Sequence, residues 1–236
     1  MKMRRLPDLD IARIGPMPRA QKKRELEQMK LAFPPYSYDP MRKRILDILN
    51  VEPGPLTTLP RTPWEKVEAA ICSDGKKPEE IEANLRVAEG LYLYAERKGI
   101  VGRREEFLGL SIGVSEKVTF WNPAVLNLDG RPLVPFIDPR KAKRLTEDGR
   151  LFAFSAMHER IRAADPDYAG VALGVFQFTN PDEGPRGARL FTDDGLTLHS
   201  FDELDAMVRE TYEVWHEVLE EREAAARRAG GSGPLL

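Results

Sequence analysis

The chain has 236 residues, 42% apolar and 31% charged, with 36 Lys and Arg against 38 Asp and Glu for a net charge of −2. That length suits one domain of about 150 to 200 residues plus extensions, and the composition is that of an ordinary globular protein. No apolar run approaches the roughly 18 residues a bilayer span needs; the single cysteine, Cys72, excludes an internal disulfide framework, and with only three histidines a zinc site of the usual kind is not expected.

The first residues, MKMRRLPDLDIARIG, are basic but carry no apolar core, so no secretion signal is expected and the chain is assigned to the cytoplasm. Residues 1 to 46 hold twelve Lys and Arg against five acids, whereas Asp202 to Glu223 is strongly acidic. A basic arm of this kind contacts nucleic acid, or packs on an acidic helix of its own chain or of another. A solvated or self-docking arm is the first expectation, because such charge runs are usually surface. Within it a short helix is predicted from Arg19 to Leu31, stopped by Pro34 and Pro35, and a second from Met41 to Leu49. The stretch VEPGPLTTLPRTP then holds four of the chain's 19 prolines and reads as a linker. The expected organisation is a basic, Pro-rich extension over residues 1–60, a core domain over 61–222 and a flexible tail over 223–236.

In the core, a short helix is predicted from Pro63 to Ile71 and a long one from Lys77 to Lys98. The long helix has Pro78 in its first turn, Glu79 and Glu80 at the positive end of its dipole, and Gly99 at its end. Ile81, Leu85, Ala88, Tyr92 and Ala95 recur at helical spacing and mark a buried face. Phe107–Val114 and Lys117–Trp121 read as strands. Asp129-Gly130 lies between AVLNL and PLVPFI, the strongest local hairpin signal, since both turn positions need positive φ. Pro132 and Pro135 remove ladder donors and demote the second arm toward an edge or a bulged strand.

Gly149–Ala164 reads as a helix with Leu151, Phe154, His158 and Ile161 on one stripe. Val171–Phe178 is a nearly continuous apolar run, the pattern of a strand covered on both faces. Arg189–Leu198 reads as a hairpin around Asp193-Asp194-Gly195. Ser200–Arg222 is the clearest helix: Ser200 and Glu203 form a capping box, and Phe201, Leu204, Val208, Tyr212, Trp215 and Leu219 run along one side. The order of elements predicts an α+β (or α/β) fold, a mixed β-sheet flanked by helices in three layers with a helical N-terminal extension.

The helix 77–98, the strands over 107–138, the helix 150–164 and the strand 171–178 together resemble the PD-(D/E)XK nuclease superfamily. Asn122-Pro123 stands where that family has Pro-Asp, and Asp138-Pro139-Arg140 where it has acid-x-Lys. The Asn removes a negative ligand, and the Arg stays protonated and cannot serve as a base. The resemblance implies Mg²⁺ held by Asp138 and Glu116, with Asp129, Glu82 or Glu89 as further acids, activating water against a phosphodiester. It gives Asp138 and Arg140 catalytic roles. His158, placed by helical spacing on the stripe with Phe154 and Ile161, could reach such a site as acid or base. Arg140, Lys141, Lys143 and Arg144, with Arg131 and Arg150 nearby, form a dense basic patch suited to a nucleic-acid backbone, though a basic stretch leading into a helix is also common on plain surfaces. Each residue has a plainer reading: Asp129 as a turn residue, Glu116 as a solvated turn pair with Lys117, Asp138 as a turn initiator at a strand end, and His158 as a core-edge residue bonded to a carbonyl.

Neither GxGxxG, GxxxxGK[ST] nor GxSxG in a nucleophile-elbow context occurs, and HERIR lacks the second histidine of a zinc-protease helix. Two readings stand at this point. One is a nucleic-acid-binding protein on a nuclease-like core, with divalent-metal phosphodiesterase activity left open. The other is a non-catalytic adaptor or regulator acting through protein–protein contacts, as a homo-oligomer or with another protein, by way of the basic arm and the acidic helix.

Overall fold

The computed structural model describes residues 5–29, 37–52, 60–114 and 116–230. Its helices and strands, in chain order, are α1 (Asp8–Ile14), α2 (Arg19–Glu27), α3 (Asp39–Arg42), α4 (Ile45–Ile48), β1 (Val51–Glu52), α5 (Trp64–Asp74), α6 (Pro78–Arg97), β2 (Val101–Arg104), β3 (Leu110–Ile112), β4 (Glu116–Val118), β5 (Ala124–Leu128), β6 (Arg131–Ile137), α7 (Glu147–Met157), β7 (Ala172–Phe178), β8 (Ala188–Thr192) and α8 (Phe201–Gly230). A π-helical turn, His158–Arg162, follows α7. Six strands make one mixed sheet in the order β1-β2-β5-β6-β7-β8, and β3 pairs only with β4.

The sheet separates two apolar layers, because alternate residues of a strand point to opposite faces. Leu173 and Val175 of β7 join Leu6, Ile11, Ile14, Leu26, Phe152, Val208 and Trp215 on one side. Ala172, Phe176 and Phe178 join Met41, Ile48, Val67, Ile71, Val87 and Leu91 on the other. The fold is therefore mixed α+β, with a helical layer on each face. Among the described residues before β1, Leu6, Ile11 and Leu26 belong to the first layer and Met41 and Ile48 to the second. The linker prolines at 53 and 55 and the Pro34-Pro35 stop lie outside the described residues, but Val51 and Glu52 pair in parallel with Gly102 and Arg103.

β6 is central, contrary to the edge position its prolines predict. It pairs antiparallel with β5 and parallel with β7. Pro132 precedes the first parallel pair, Leu133↔Ala172, and Pro135 lies beyond the last antiparallel pair, Leu126↔Leu133. The backbone N–H of Asp138 reaches Phe176 O at 2.9 Å. By alternation Pro132 lacks its donor on the β7 side and Pro135 on the β5 side, so neither interrupts a ladder bond. The Asp129-Gly130 turn forms as expected, with φ of 53° and 81°.

Other elements depart from expectation in specific ways. Met41–Leu49 splits into α3 and α4, and β2 was not anticipated because VGRR has no apolar alternation. The predicted hairpin at 189–198 is only β8 followed by a turn. Asp193 accepts from Arg162 Nη1 at 2.6 Å and from Leu173 N at 3.0 Å, so it ties that turn to β7 instead of starting a return strand. Residues 223–230, read as loose tail, continue α8. Phe201 lies off the buried stripe of α8, 38% exposed.

The basic arm docks on the acidic helix of its own chain. Lys22, only 1% exposed, pairs with Glu210, while Arg19 pairs with Glu217 and Lys23 with Glu221. Arg222 of α8 donates in return to the carbonyls of Glu27 and Met29 at 2.8 and 2.9 Å. The charged surfaces expected to recruit a second copy are thus largely engaged internally.

The capping box of α8 is present: Glu203 N donates to Ser200 Oγ at 3.3 Å, and Ser200 N to Glu203 Oε2 at 2.8 Å. Ser200→Ala is expected to destabilise the protein by about 1 kcal/mol, the usual worth of an N-cap hydroxyl. An unchanged urea midpoint in that variant would show that packing of the first turn, not the cap, holds this end of the helix.

Candidate functional site

Of the residues singled out in the sequence, Asp138, Arg140, Lys141, Lys143 and Arg144 lie on the loop 138–145, between β6 and α7. Asp138 lies at the end of β6 and is 0% exposed. Its carboxylate accepts from Leu145 N at 2.7 Å, from Gln177 Nε2 at 3.0 Å and from Arg140 N at 3.3 Å. The aspartate folds the loop back on itself, as the turn reading held, but from inside the protein. Gln177 Nε2 also donates to Leu145 O at 2.9 Å. Arg186, 4% exposed, clamps the same loop from outside through Pro139 O at 2.6 Å and Arg140 O at 3.2 Å.

Arg140 turns inward. Its Nη1 bonds Asp10 Oδ1 at 2.8 Å and its Nε lies 3.5 Å from Asp138 Oδ1, so one guanidinium bridges two carboxylates. Asp10 is also 3.5 Å from Arg13 Nε, and Arg13 bonds Glu25 at 2.6 Å, which with Arg13 beside it holds Glu25 below the ordinary carboxylate range. This chain of alternating charge crosses from α2 through α1 to the loop. It explains how charged groups are buried here: each is paired, as a low dielectric demands.

Among the described residues, no three His, Cys, Asp or Glu side chains come together as a metal site would require. The backbone of Glu116 lies in β4, while its side chain lies outside the described residues. Asp129 sits in the β5–β6 turn and pairs with Lys98 at 3.2 Å. Arg131, expected on nucleic acid, is held by Asp194 through two bonds of 2.9 and 2.6 Å; that pairing raises the arginine's pKa and lowers the aspartate's. His158 begins the π-helical turn, and its buried Nδ1 has no hydrogen-bond partner, so the expected bond to a carbonyl is not formed through that atom. Lys141 and Lys143 are exposed, and Lys143 takes a left-handed φ of 53°.

Arg144 and Arg150 do converge. They line a cavity of about 550 Å³ with Leu145, Thr146, Gln177, Phe178, Thr179, Asn180, Arg189 and Phe191. It opens beyond the carboxyl ends of the parallel strands β6 and β7, where open sheets commonly place ligands. Burial holds the pKa of Arg150 below the usual arginine value, and the neighbouring Arg144 acts in the same direction. Gln177, Arg186 and Arg189 were not foreseen. Gln177 sits in an otherwise apolar strand, and that lone polar residue was the one available signal.

The arrangement is a buried loop clamp joined to an arginine-lined cavity, in a mixed three-layer fold. A family model for the sliding clamp-binding bacterial toxin SocB matches residues 9–225. The chain belongs to the SocB family. It is 37% identical over 233 residues to the "DNA replication inhibitor toxin SocB" of Caulobacter vibrioides (strain NA1000 / CB15N), covering 99% of this chain and 98% of that protein. No solved structure matches.

Membership of that family overturns the PD-(D/E)XK resemblance, and with it the nuclease and magnesium readings. The structure shows where the resemblance misled: the supposed three-strand meander is divided between two sheets, with β3 and β4 outside the main one. The family places the protein among those acting through protein–protein contact, the second of the two sequence readings. Among the described residues, no helix is long and apolar enough to cross a membrane.

Proposed function

We propose that this chain binds the DNA sliding clamp of its host and inhibits DNA replication by occupying it. The observation that carries this reading is the extent of the family match. Likeness to a clamp-binding replication inhibitor runs over 99% of the chain and 98% of the relative, so no domain of that protein is missing here. Supporting it, the strongest nuclease candidates are committed to structure: Asp138 to the loop and Arg140 to Asp10. Inhibition by occupancy needs no chemistry. A protein that fills a surface used by the polymerase competes by mass action, and excess clamp relieves the block.

The test pairs binding with synthesis. Purified protein titrated with host clamp in a calorimeter should give a saturable complex. In a clamp-dependent primer-extension assay it should stop elongation, with synthesis restored by added clamp and the template left intact. No complex at tens of micromolar, or a block that excess clamp does not relieve, would overturn the reading.

A further inference from the structure

The cavity between the 144–146 loop, β7 and β8 gathers positive charge. Several buried and half-buried arginines meet acids, as Arg140 does Asp10, Arg162 Asp193 and Arg13 Glu25, while others, such as Arg186, are spent on backbone carbonyls. Here three arginines face one space, and among the described residues none of their guanidinium groups has a carboxylate partner. Arg144 Nη1 bonds the carbonyl of Phe178, at 3.3 Å, and Arg150 Nη1 the amide oxygen of Gln177, at 3.1 Å. The Arg189 side chain makes no hydrogen bond or ion pair among the described residues. Glu147, one turn before Arg150 on α7, opposes its charge but does not line the cavity, and the Asp138 carboxylate behind Gln177 is occupied by Gln177 Nε2 and Leu145 N.

The positions are fixed rather than incidental. Gln177 and Arg189 are direct cross-strand partners, so their side chains share a face, and Phe191 follows on that face two residues later. Gln177 spends its Nε2 on Asp138 and Leu145 O, which turns its oxygen toward Arg150. The Arg150 guanidinium lies 4.1 Å from the Phe191 ring centroid, stacked in place. Thr146 caps α7 through Gly149 N at 3.1 Å, so the positive end of that helix dipole opens beside the arginines. Leu145, Phe178 and Phe191 supply apolar wall.

We propose that this cavity is a binding site for a terminal phosphate, a phosphomonoester of nucleotide size. A planar guanidinium donates two parallel hydrogen bonds to phosphate oxygens, and three of them suit a dianion better than a single carboxylate. A volume near 550 Å³ leaves room for an organic group beyond the phosphate. A free nucleotide and the phosphorylated end of a nucleic-acid strand share this chemistry. The site is independent of clamp binding and stands or falls separately.

The test follows the melting temperature and binding heat of the full chain. The probes are inorganic phosphate, dAMP, and one short oligodeoxynucleotide carrying either a 5′-phosphate or a 5′-hydroxyl. The expected result is saturable binding with a rise in melting temperature, weakened about tenfold or more in Arg144→Gln and in Arg189→Gln, where charge-assisted bonds are lost. Both side chains are exposed, so circular dichroism should show the parent fold. Lys66→Gln, on α5 against the opposite face of the sheet, should bind as the parent does and controls for net charge. Preference for dAMP identifies a free nucleotide, and preference for the phosphorylated oligonucleotide identifies a strand end. Four results overturn the proposal: no binding by any probe, equal loss in Lys66→Gln, sodium chloride reproducing the shift, or equal binding of the 5′-hydroxyl strand.

Discussion

Trp215→Ala is expected to lower the unfolding free energy by about 3–5 kcal/mol, the cost of removing a large aromatic from a packed core. Trp215 is 1% exposed on α8 and belongs to the apolar layer that joins α1, α2, α7 and the sheet. The Arg222 guanidinium lies 5.7 Å from its ring centroid, and that arginine is the one that grips the end of α2. Truncation therefore opens a cavity and loosens the α2–α8 junction together. Against a total of about 5–15 kcal/mol for a typical protein, this is a large fraction. Urea denaturation followed by fluorescence of the remaining tryptophans and by circular dichroism would read it, with Phe201→Ala as control. Phe201 is 38% exposed on the same helix, so its loss should change stability by no more than about 0.5 kcal/mol. Similar midpoints for the two variants would mean that α8 does not pack as described.

Asp138→Ala is expected to cost about 3–5 kcal/mol, because removing one partner of a buried charged pair leaves the others unsatisfied. Three N–H donors lose their acceptor, and Arg140 retains only Asp10. Asp138→Asn keeps one acceptor oxygen and should fall between the parent and the alanine variant. The second measurement is clamp affinity at a temperature where each variant remains folded. Affinity per folded molecule should be unchanged, since the residue is 0% exposed and cannot touch a partner. A variant of parental stability would contradict the role assigned to this carboxylate.

Long periodic elements were legible from sequence for physical reasons. In α6 and α8 the caps, the charge placement and the apolar stripe all agree, and each end fell within a residue or so of prediction except where α8 continues past Arg222. The buried strand β7 was equally plain, because an apolar run interrupted by Gln177 alone fits a doubly covered position. What could not be read was partnership over distance. Nothing local says that β3 and β4 leave the main sheet, or that Pro132 and Pro135 fall where no donor is missed.

The site shows the same division. The sequence drew attention to Asp138, Arg140, Arg144 and Arg150 because they sit on one short segment. Their chemistry depended on residues far along the chain. Asp10 turns Arg140 inward, Gln177 and Leu145 occupy the aspartate, and Arg189 completes the cavity from another strand. A carboxylate before a basic run looks the same whether it holds a metal or holds its own loop. Only the donors around it decide, and those come from tertiary structure.

The seam between α2 and α8 has a consequence for synthesis. Leu6 N bonds the Tyr212 hydroxyl across 206 positions of sequence, and Lys22 finds its carboxylate at Glu210. On the ribosome, the opening helices must wait, without their cover, until the residues of α8 have been translated. Closing so long a loop is entropically slow, so docking of the opening helices is expected to be a late event rather than a progressive one. A polypeptide released before its final helix would leave its first helices with nothing to fold against.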